Sequence, residues 1–294
     1  MTKYLLGIDG GGSKTDFLLC DLELNEVARR FSSRSNPNDI GIDAVLALLR
    51  ENITALLDDS GVDKNDVTAA FAGIAGLTSC DYAKRVVGLL KELLPNAKVD
   101  ALHDGINVLY SAFPEGDGVS IICGTGSSCF VKRQNEIIRI GGYGSFDLLG
   151  NGYEIGRRAI AHAVKTIDGR ETEGVLEELL HEKLGDDFLK ALDSLLLMTK
   201  DELARFTPLV FEAAEKGDAN ALQIIRENME YIAQLINRAG DYFYSAYPVA
   251  LAGGVLNADL SVSLISSMIN PKASLTHNSL APSFGAAAKA KSLL

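Results

Sequence analysis

Two stretches of the chain share one pattern of apolar and polar positions. Residues 4–21, YLLGIDGGGSKTDFLLCD, place aliphatic and β-branched residues on both sides of a glycine cluster, which predicts strand, turn and strand. Residues 118–133, GVSIICGTGSSCFVKR, repeat it. Setting Ile8 on Ile122 also sets Gly10 on Gly124, Gly12 on Gly126 and Ser13 on Ser127, all at an offset of 114. Two similar hairpins therefore begin two similar halves.

The remainder of each half differs in kind. The first half continues with a helix carrying Ala44, Leu46, Leu49, Ile53 and Leu56, then a strand near AAFAGIAG, a helix over 81–94 and a strand ending at Leu102. Mixed strands and helices predict α/β layers. The second half is more helical, with amphipathic runs over 154–166, 171–183, 201–216 and 219–245, before a strand at PVALAGG and an alanine-rich helix from Pro282. The turn at Pro114–Gly118 sets a boundary near 116 and hence domains 1–116 and 117–294, with the last helix, 282–294, able to pack back on the first.

Composition narrows the function. A chain of 294 residues, 47% hydrophobic and 23% charged, can bury substantial cores in about two domains. Its net charge of -11 and pI near 4.9 disfavour nucleic acid and anionic membranes as partners, since both need a concentrated basic surface. The opening MTKYLLGIDGGG lacks an apolar signal core, and no uncharged stretch approaches the roughly 20 residues that span a bilayer, so a cytoplasmic protein is expected. Cys20, Cys80, Cys123 and Cys129 form no CxxC pair, and His162, His181 and His277 are isolated; neither set implies a zinc site or a disulfide framework.

The glycine turns carry the candidate chemistry. Without side chains, Gly10, Gly11 and Gly12 let backbone N–H groups approach phosphate oxygens, while Ser13, Lys14 and Thr15 add hydroxyl and ammonium donors. An ordinary tight hairpin is the plainer reading of one such loop; the second, Cys123-Gly-Thr-Gly-Ser-Ser, weighs against it. A P-loop is excluded because Ser13 separates Gly12 from Lys14 and a strand follows where a helix is needed. A dinucleotide fingerprint fails too, with Thr15 where its last glycine belongs.

Gly7-Ile-Asp-Gly-Gly-Gly-Ser-Lys-Thr resembles the first phosphate motif of the sugar kinase, actin and Hsp70 superfamily, Ile122-Cys-Gly-Thr-Gly-Ser-Ser its second, and LAGGVLNAD, 251–259, its adenosine motif. Within it the chain most resembles the N-acetylglucosamine kinase and BadF/BadG/BcrA/BcrD ATPase family. The resemblance implies a two-domain, ribonuclease H-like (actin-like ATPase) α/β fold with an ATP and sugar cleft between the domains. It further implies a kinase using ATP and Mg²⁺ to phosphorylate a small-molecule amino sugar, at the 6-hydroxyl of N-acetylglucosamine, with N-acetylmuramate and glucosamine left open.

Site residues follow by position. Asp104, after the strand KVDALH, matches the family's catalytic base at a strand end facing the sugar, and an N-cap of DGINVLY is its plainer reading. Strand alternation is expected to turn His103 to the opposite face, as a buried structural histidine. Asp9 matches the magnesium aspartate, a turn-forming residue being the alternative. Thr125 and Ser127, with Gly124 and Gly126, are implied phosphate contacts, and Gly253 and Gly254 let the backbone meet adenine. Asn36 in Ser35-Asn-Pro-Asn-Asp-Ile-Gly matches a sugar-binding asparagine, with Asn38 a weaker candidate and turn chemistry the alternative. Residues 141–156 resemble the sugar loop, with Gly142, Tyr143, Gly144 and Asp147 as contacts. Two departures stand out there: Tyr143 replaces a common tryptophan and Leu148 a common acidic residue.

Two other classes share the nucleotide motifs. An ATPase activator of the BadF type would bridge an iron–sulfur cluster between subunits and needs cysteines presented at a dimer surface, whereas Cys123 and Cys129 flank the second hairpin. An actin-like conformational ATPase needs a polymer or peptide surface, and the chain carries no large insertion to build one. A homodimer remains compatible with either the kinase or the activator.

Overall fold

The computed structural model describes residues 2–78, 80–134, 136–185 and 188–294. In chain order the first elements are β1 (Tyr4–Gly10), β2 (Lys14–Asp21), β3 (Glu26–Ser33), α1 (Pro37–Ile40), α2 (Ile42–Ser60), β4 (Val67–Ile74), α3 (Tyr82–Leu93), β5 (Lys98–Leu102) and α4 (Gly105–Ala112). There follow β6 (Gly118–Cys123), β7 (Ser127–Arg133), β8 (Glu136–Ile140), α5 (Gly152–Ile167), α6 (Val175–Leu184), α7 (Phe188–Leu196), α8 (Lys200–Ala204) and α9 (Thr207–Glu215). The chain ends with α10 (Ala219–Gly240), β9 (Tyr247–Ala252), α11 (Asp259–Met268), β10 (Ala273–His277) and α12 (Pro282–Lys291). The fold is α/β, divided into one compact unit of Met1–Gly118 with Asn278–Leu294 and another of Val119–His277.

The first unit is built on a sheet of order β3-β2-β1-β4-β5, with β1 antiparallel to β2 and parallel to β4. Alternation sends Leu6, Ile8, Phe17 and Leu19 into a core with Val45, Leu49 and Ile53 of α2 and Val86 and Leu90 of α3. Leu18 and Cys20 face the other way, onto Ala287 of α12. The approach of α12 is close enough to dictate residue types. A Cβ on Gly7 would lie 2.4 Å from the Ala287 nitrogen, and one on Gly285 would lie 1.8 Å from the Asn107 carbonyl oxygen of α4. Two glycines thus let the alanine-rich helix seat against β1 and α4.

The second unit has a sheet of order β10-β9-β6-β7-β8, with β9 parallel to both β6 and β10 and β7 antiparallel to β8. Reading each sheet outward from its hairpin gives the same order, so the duplication in the sequence extends to topology. Its core joins Val119, Ile121 and Val131 to Ile155 and Ala159 of α5 and to Ile225, Met229, Ile232 and Ile236 of α10.

Several boundaries differ from the periodicity. The run expected over 201–216 divides into α8 and α9, because Pro208 sits in the first turn of α9 and has no N–H to continue the earlier helix. The run from 219 stops at Gly240 rather than 245. α6 starts only at Val175, where the N–H of its N-cap Gly174 donates to Glu177 Oε2 at 2.7 Å.

Candidate active site

In the first unit, candidate groups gather where the parallel strands β1, β4 and β5 end, the edge at which open α/β sheets bind ligands. Asp9 lies near the end of β1 and opposes Asp16 across the β1–β2 ladder. The protein mass around Asp9 pushes its carboxyl up to about 7; a hydrogen bond from Asn107 works against that, the charges of Asp104 and Asp16 reinforce it, and Lys14 opposes it. Asn107, one helical turn beyond Asp104, is fully buried and donates from Nδ2 to Asp9 Oδ1 at 2.7 Å and to the Gly73 carbonyl at 3.0 Å. It ties α4 to β1 and β4 at the site.

Asp104 stands at the N-cap position of α4, yet its side chain makes no capping bond. The helix leaves that carboxylate unused. The expectation for His103 is corrected: β5 ends at Leu102, so alternation does not reach it, and His103 Nδ1 lies 2.7 Å from Asp104 Oδ1. The ring is not fully buried either, since its side chain is 22% exposed.

Around the first hairpin, Gly11 N–H donates to the Lys14 carbonyl at 2.9 Å, closing the turn on itself. Gly10 is a packing glycine, as a Cβ there would meet Ser35 Oγ at 2.3 Å, whereas at Gly12 it would meet nothing within 4 Å. Ser13 and Lys14 are exposed at the tip, with Lys14 Nζ 5.4 Å from the centre of the Phe31 ring. Thr15 requires a correction. It is fully buried and its hydroxyl donates to the Ser33 carbonyl at 2.7 Å, so it holds β3 to β2 and offers nothing to a phosphate.

The segment after β3 returns to this hairpin through Ser35 N–H, which donates to the Gly11 carbonyl. Asn36 Oδ1 accepts from Asn38 N–H at 3.0 Å and caps α1. The turn role suggested by its neighbours is therefore real, with the Asn36 amide nitrogen left for other partners. Gly76, at φ +83°, packs against the Asn36 and Asn38 side chains.

The second unit holds two adjoining cavities. One of about 690 Å³ is lined by Gly124, Thr125, Gly152, Gly254 and Val255 together with Ala204, Thr207, Pro208 and Phe211 from α8 and α9. The other, of about 120 Å³, is lined by Thr125, Gly126, Ser127, Gly142, Gly144 and Asp147, with Asn151, Tyr153 and Lys200. Thr125 belongs to both. A Cβ on Gly124, Gly126 or Gly254 would meet nothing within 4 Å, so packing does not explain the absence of side chains there; open space above the backbone does. Gly253 differs, because its φ of +97° and a Cβ only 2.4 Å from the Cys123 carbonyl oxygen make it structural.

Beside them, residues 141–151 fold around one carboxylate. Asp147 Oδ2 accepts from Gly142 N–H at 2.7 Å, and Gly142 at φ +73° has no room for a side chain against the Ser127 carbonyl. Gly144, at φ +68°, faces open space. Tyr143 is exposed and lies over the Arg139 guanidinium at 5.1 Å. Ser127 is corrected as a side-chain phosphate donor: its hydroxyl donates to the Leu149 carbonyl at 2.9 Å and fastens this loop to the hairpin. Asn151 caps α5 through Glu154 N–H at 2.9 Å. The sequence did carry a signal for it, since Asn-x-x-Glu is a helix-start pattern.

Three of the cysteines are buried, and burial pushes the Cys20 and Cys129 thiols up to about 12 and Cys123 upward as well. Cys123 Sγ donates to the Gly150 carbonyl. Protonated, enclosed thiols cannot present a cluster at a surface. Among the described residues no group of three or more His, Cys, Asp or Glu is placed to hold a metal unaided, and no helix is long and apolar enough to cross a membrane.

Comparison with known proteins finds relatives in sequence and in structure. An N-acetylmuramic acid/N-acetylglucosamine kinase of Clostridium acetobutylicum is 31% identical over 237 residues, covering 76% of this chain and 75% of the relative. An N-acetyl-D-glucosamine kinase of Dictyostelium discoideum is 29% identical, covering 97% of each. Among solved structures, a protein of Chromobacterium violaceum provisionally described as an N-acetylglucosamine kinase superposes with a TM-score of 0.76 at 21% identity, covering 97% of this chain and 98% of that one. That likeness establishes the fold, two α/β units each built on a five-stranded sheet. With the family's sequence profile matching residues 6–290, the chain belongs to the BadF/BadG/BcrA/BcrD ATPase family.

Proposed function

We propose that this protein is an ATP-dependent kinase that phosphorylates an amino sugar, most readily the 6-hydroxyl of N-acetylglucosamine, with N-acetylmuramate and glucosamine as further acceptors. The observation that carries the reading is Thr125, shared by a large, mostly apolar cavity and a small one whose lining includes Ser127, Asp147, Asn151 and Lys200. An adenosine suits the first, and a phosphate chain crossing residues 124–126 would reach the second. The names of the two curated relatives support the amino-sugar class.

Phosphoryl transfer needs positioning, charge stabilisation and a base for the acceptor proton. Asp104, uncommitted to its helix, is the base and takes the hydroxyl proton of the sugar. Asp9 fits a divalent cation, because a carboxylate pushed upward by burial and by neighbouring Asp104 and Asp16 gains most from added positive charge. The lack of a multi-carboxylate cage among the described residues suits Mg²⁺, which keeps waters and phosphate oxygens as most of its ligands. When bound, Mg²⁺ would neutralise charge on the transferring phosphates. Asn107 fixes the Asp9 carboxylate, and Asn36, Gly142, Tyr143, Gly144 and Asp147 remain the proposed sugar contacts.

The test is ATP consumption in Mg²⁺ against a panel of N-acetylglucosamine, N-acetylmuramate, glucosamine and glucose, with products identified by mass spectrometry. One amino sugar should stimulate turnover and appear as its monophosphate. Sugar-independent hydrolysis with no phosphorylated sugar would overturn the kinase.

A further inference from the structure

The smaller cavity beside the second hairpin has an unusual balance of used and unused groups. Its fixed polar side chains are largely consumed by the fold: Ser127 Oγ donates to Leu149, Asn151 caps α5, and Asp147 Oδ2 accepts from Gly142. Three side chains of its lining remain that could meet an anion, those of Thr125, Tyr153 and Lys200, and of these only Lys200 is charged. Lys200 is the cavity's one cationic side chain, and among the described residues it forms no ion pair. Its ammonium lies 5.3 Å from the centre of the Tyr153 ring, and Tyr153 N–H donates in turn to the Thr125 carbonyl at 3.3 Å.

The backbone beneath Lys200 is held firmly. Thr199 and Glu202 bond reciprocally, Thr199 N–H to Glu202 Oε2 at 2.7 Å and Glu202 N–H to Thr199 Oγ1 at 3.3 Å. The next turn is seated on α5, where a Cβ on Gly156 would lie 2.0 Å from the Leu203 carbonyl oxygen. Lys200 and Ala204 share one helical face, four residues apart, and Ala204 lines the larger cavity while Lys200 lines the smaller. One short helix therefore lines both cavities, with Ala204 at the larger and Lys200 at the smaller.

We infer that Lys200 is a catalytic residue that grips the γ-phosphate of the bound nucleoside triphosphate. This rests on the nucleotide reading of the two cavities. The Lys200 ammonium donates N–H bonds to non-bridging oxygens of the γ-phosphoryl group as the bond to the β,γ-bridging oxygen breaks and the bond to the acceptor oxygen forms. In a protein of net charge -11 a cation at that point also offsets a field that would otherwise repel the triphosphate.

The experiment compares Lys200→Met and Lys200→Arg with the parent protein, titrating ADP and a non-hydrolysable ATP analogue by calorimetry in Mg²⁺, without sugar. Charge-assisted hydrogen bonds of this kind correspond to about a 10- to 100-fold loss of affinity when removed. Lys200→Met should lose that much for the triphosphate and less than about threefold for ADP. Lys200→Arg should recover most of the difference. Melting temperature should not move, because the side chain is exposed. Equal weakening of both nucleotides, or no weakening of either, overturns the assignment. So does a selective loss with a carboxylated amino sugar while both nucleotides bind normally, which would put the ammonium on the sugar. If the parent protein discriminates the triphosphate through Lys200 yet phosphorylates no sugar, the kinase reading fails and the Lys200 assignment stands.

Discussion

Replacing Asn107 by leucine tests how the first unit holds its carboxylate. The substitution keeps volume and removes every polar atom. An amide nitrogen has two hydrogens, so of its three neighbours Asp9 Oδ1 at 2.7 Å and Gly73 O at 3.0 Å are the full bonds, and Ile8 O at 3.4 Å shares one. Losing a bond to a charged acceptor costs about 1.5–3 kcal/mol, and orphaning a buried carbonyl about 1–3 kcal/mol. Against that, Asn107 Oδ1 is itself buried without a partner, and its removal returns about 1–2 kcal/mol. The net expectation is a loss of about 2–4 kcal/mol.

For a unit of this size that corresponds to a fall of roughly 6–15 °C in melting temperature, read by calorimetry. A second readout separates local electrostatics from stability. The Asn107 bond is the largest influence holding the Asp9 carboxyl down, so its loss lets the carboxyl rise further and at pH 7 more of it is protonated. Protonated Asp9 binds a cation poorly, so the Mg²⁺ concentration for half-maximal activity should rise severalfold in the folded variant. A fall under 2 °C with an unchanged Mg²⁺ requirement would refute both the keystone role of Asn107 and the metal role of Asp9.

Three further outcomes are expected. Asp104→Asn should bind ATP and sugar normally and lose about 10²- to 10⁴-fold in kcat, and near-normal turnover in stopped assays would remove it as the base. Gly126→Ala should melt like the parent and weaken ATP, whereas Gly285→Ala should cost about 3 kcal/mol in stability because its Cβ would press on the Asn107 carbonyl; equal melting temperatures would contradict the division of glycines into open and packed. Thr125→Val should raise KM for ATP more than for sugar and Asn36→Ala the reverse, and parallel changes in one ligand would break the assignment of these residues to nucleotide and sugar.

Much of the fold was legible because it depends on local patterns. Glycine clusters between apolar runs mark both hairpins, and the shared offset announces the duplicated sheet. β3 was not legible: its outer face, with Val27 and Phe31, is exposed, so an edge strand shows little of the alternation that a half-buried one shows. β10 and α11 are short elements with little buried apolar surface of their own. At the site, sequence identifies donors but not whether the fold has already spent them. Thr15, Ser127 and Asn36 all carry suitable oxygen atoms, and each is already bonded within the fold, Thr15 to Ser33, Ser127 to Leu149 and Asn36 to Asn38. His103 misled for a related reason, since a strand ending one residue earlier replaces alternation with a turn. Asn107 and Lys200 had no local signal, because what singles them out is the company of residues far along the chain.

The duplication explains how one hairpin design supports two chemistries. At the common offset Gly7 corresponds to Ile121 and Asp9 to Cys123. Gly7 admits the backbone of α12 directly onto β1, while Ile121 fills a core built from larger side chains, so the two sheets are covered at different depths. The second pair bears on charge. Where the first hairpin carries a carboxylate suited to a cation, the second carries a thiol that burial keeps protonated and that donates to Gly150. A second carboxylate at Cys123 would stand next to Gly124 and repel phosphates placed, as proposed, in the open space over Gly124 and Gly126. A neutral residue avoids that repulsion and frees the second hairpin to act through its backbone. The metal role proposed for Asp9 and the phosphate role proposed for residues 124–126 therefore stand together: the hairpin with the carboxylate would recruit the cation, and the one with a neutral thiol in its place would face the triphosphate.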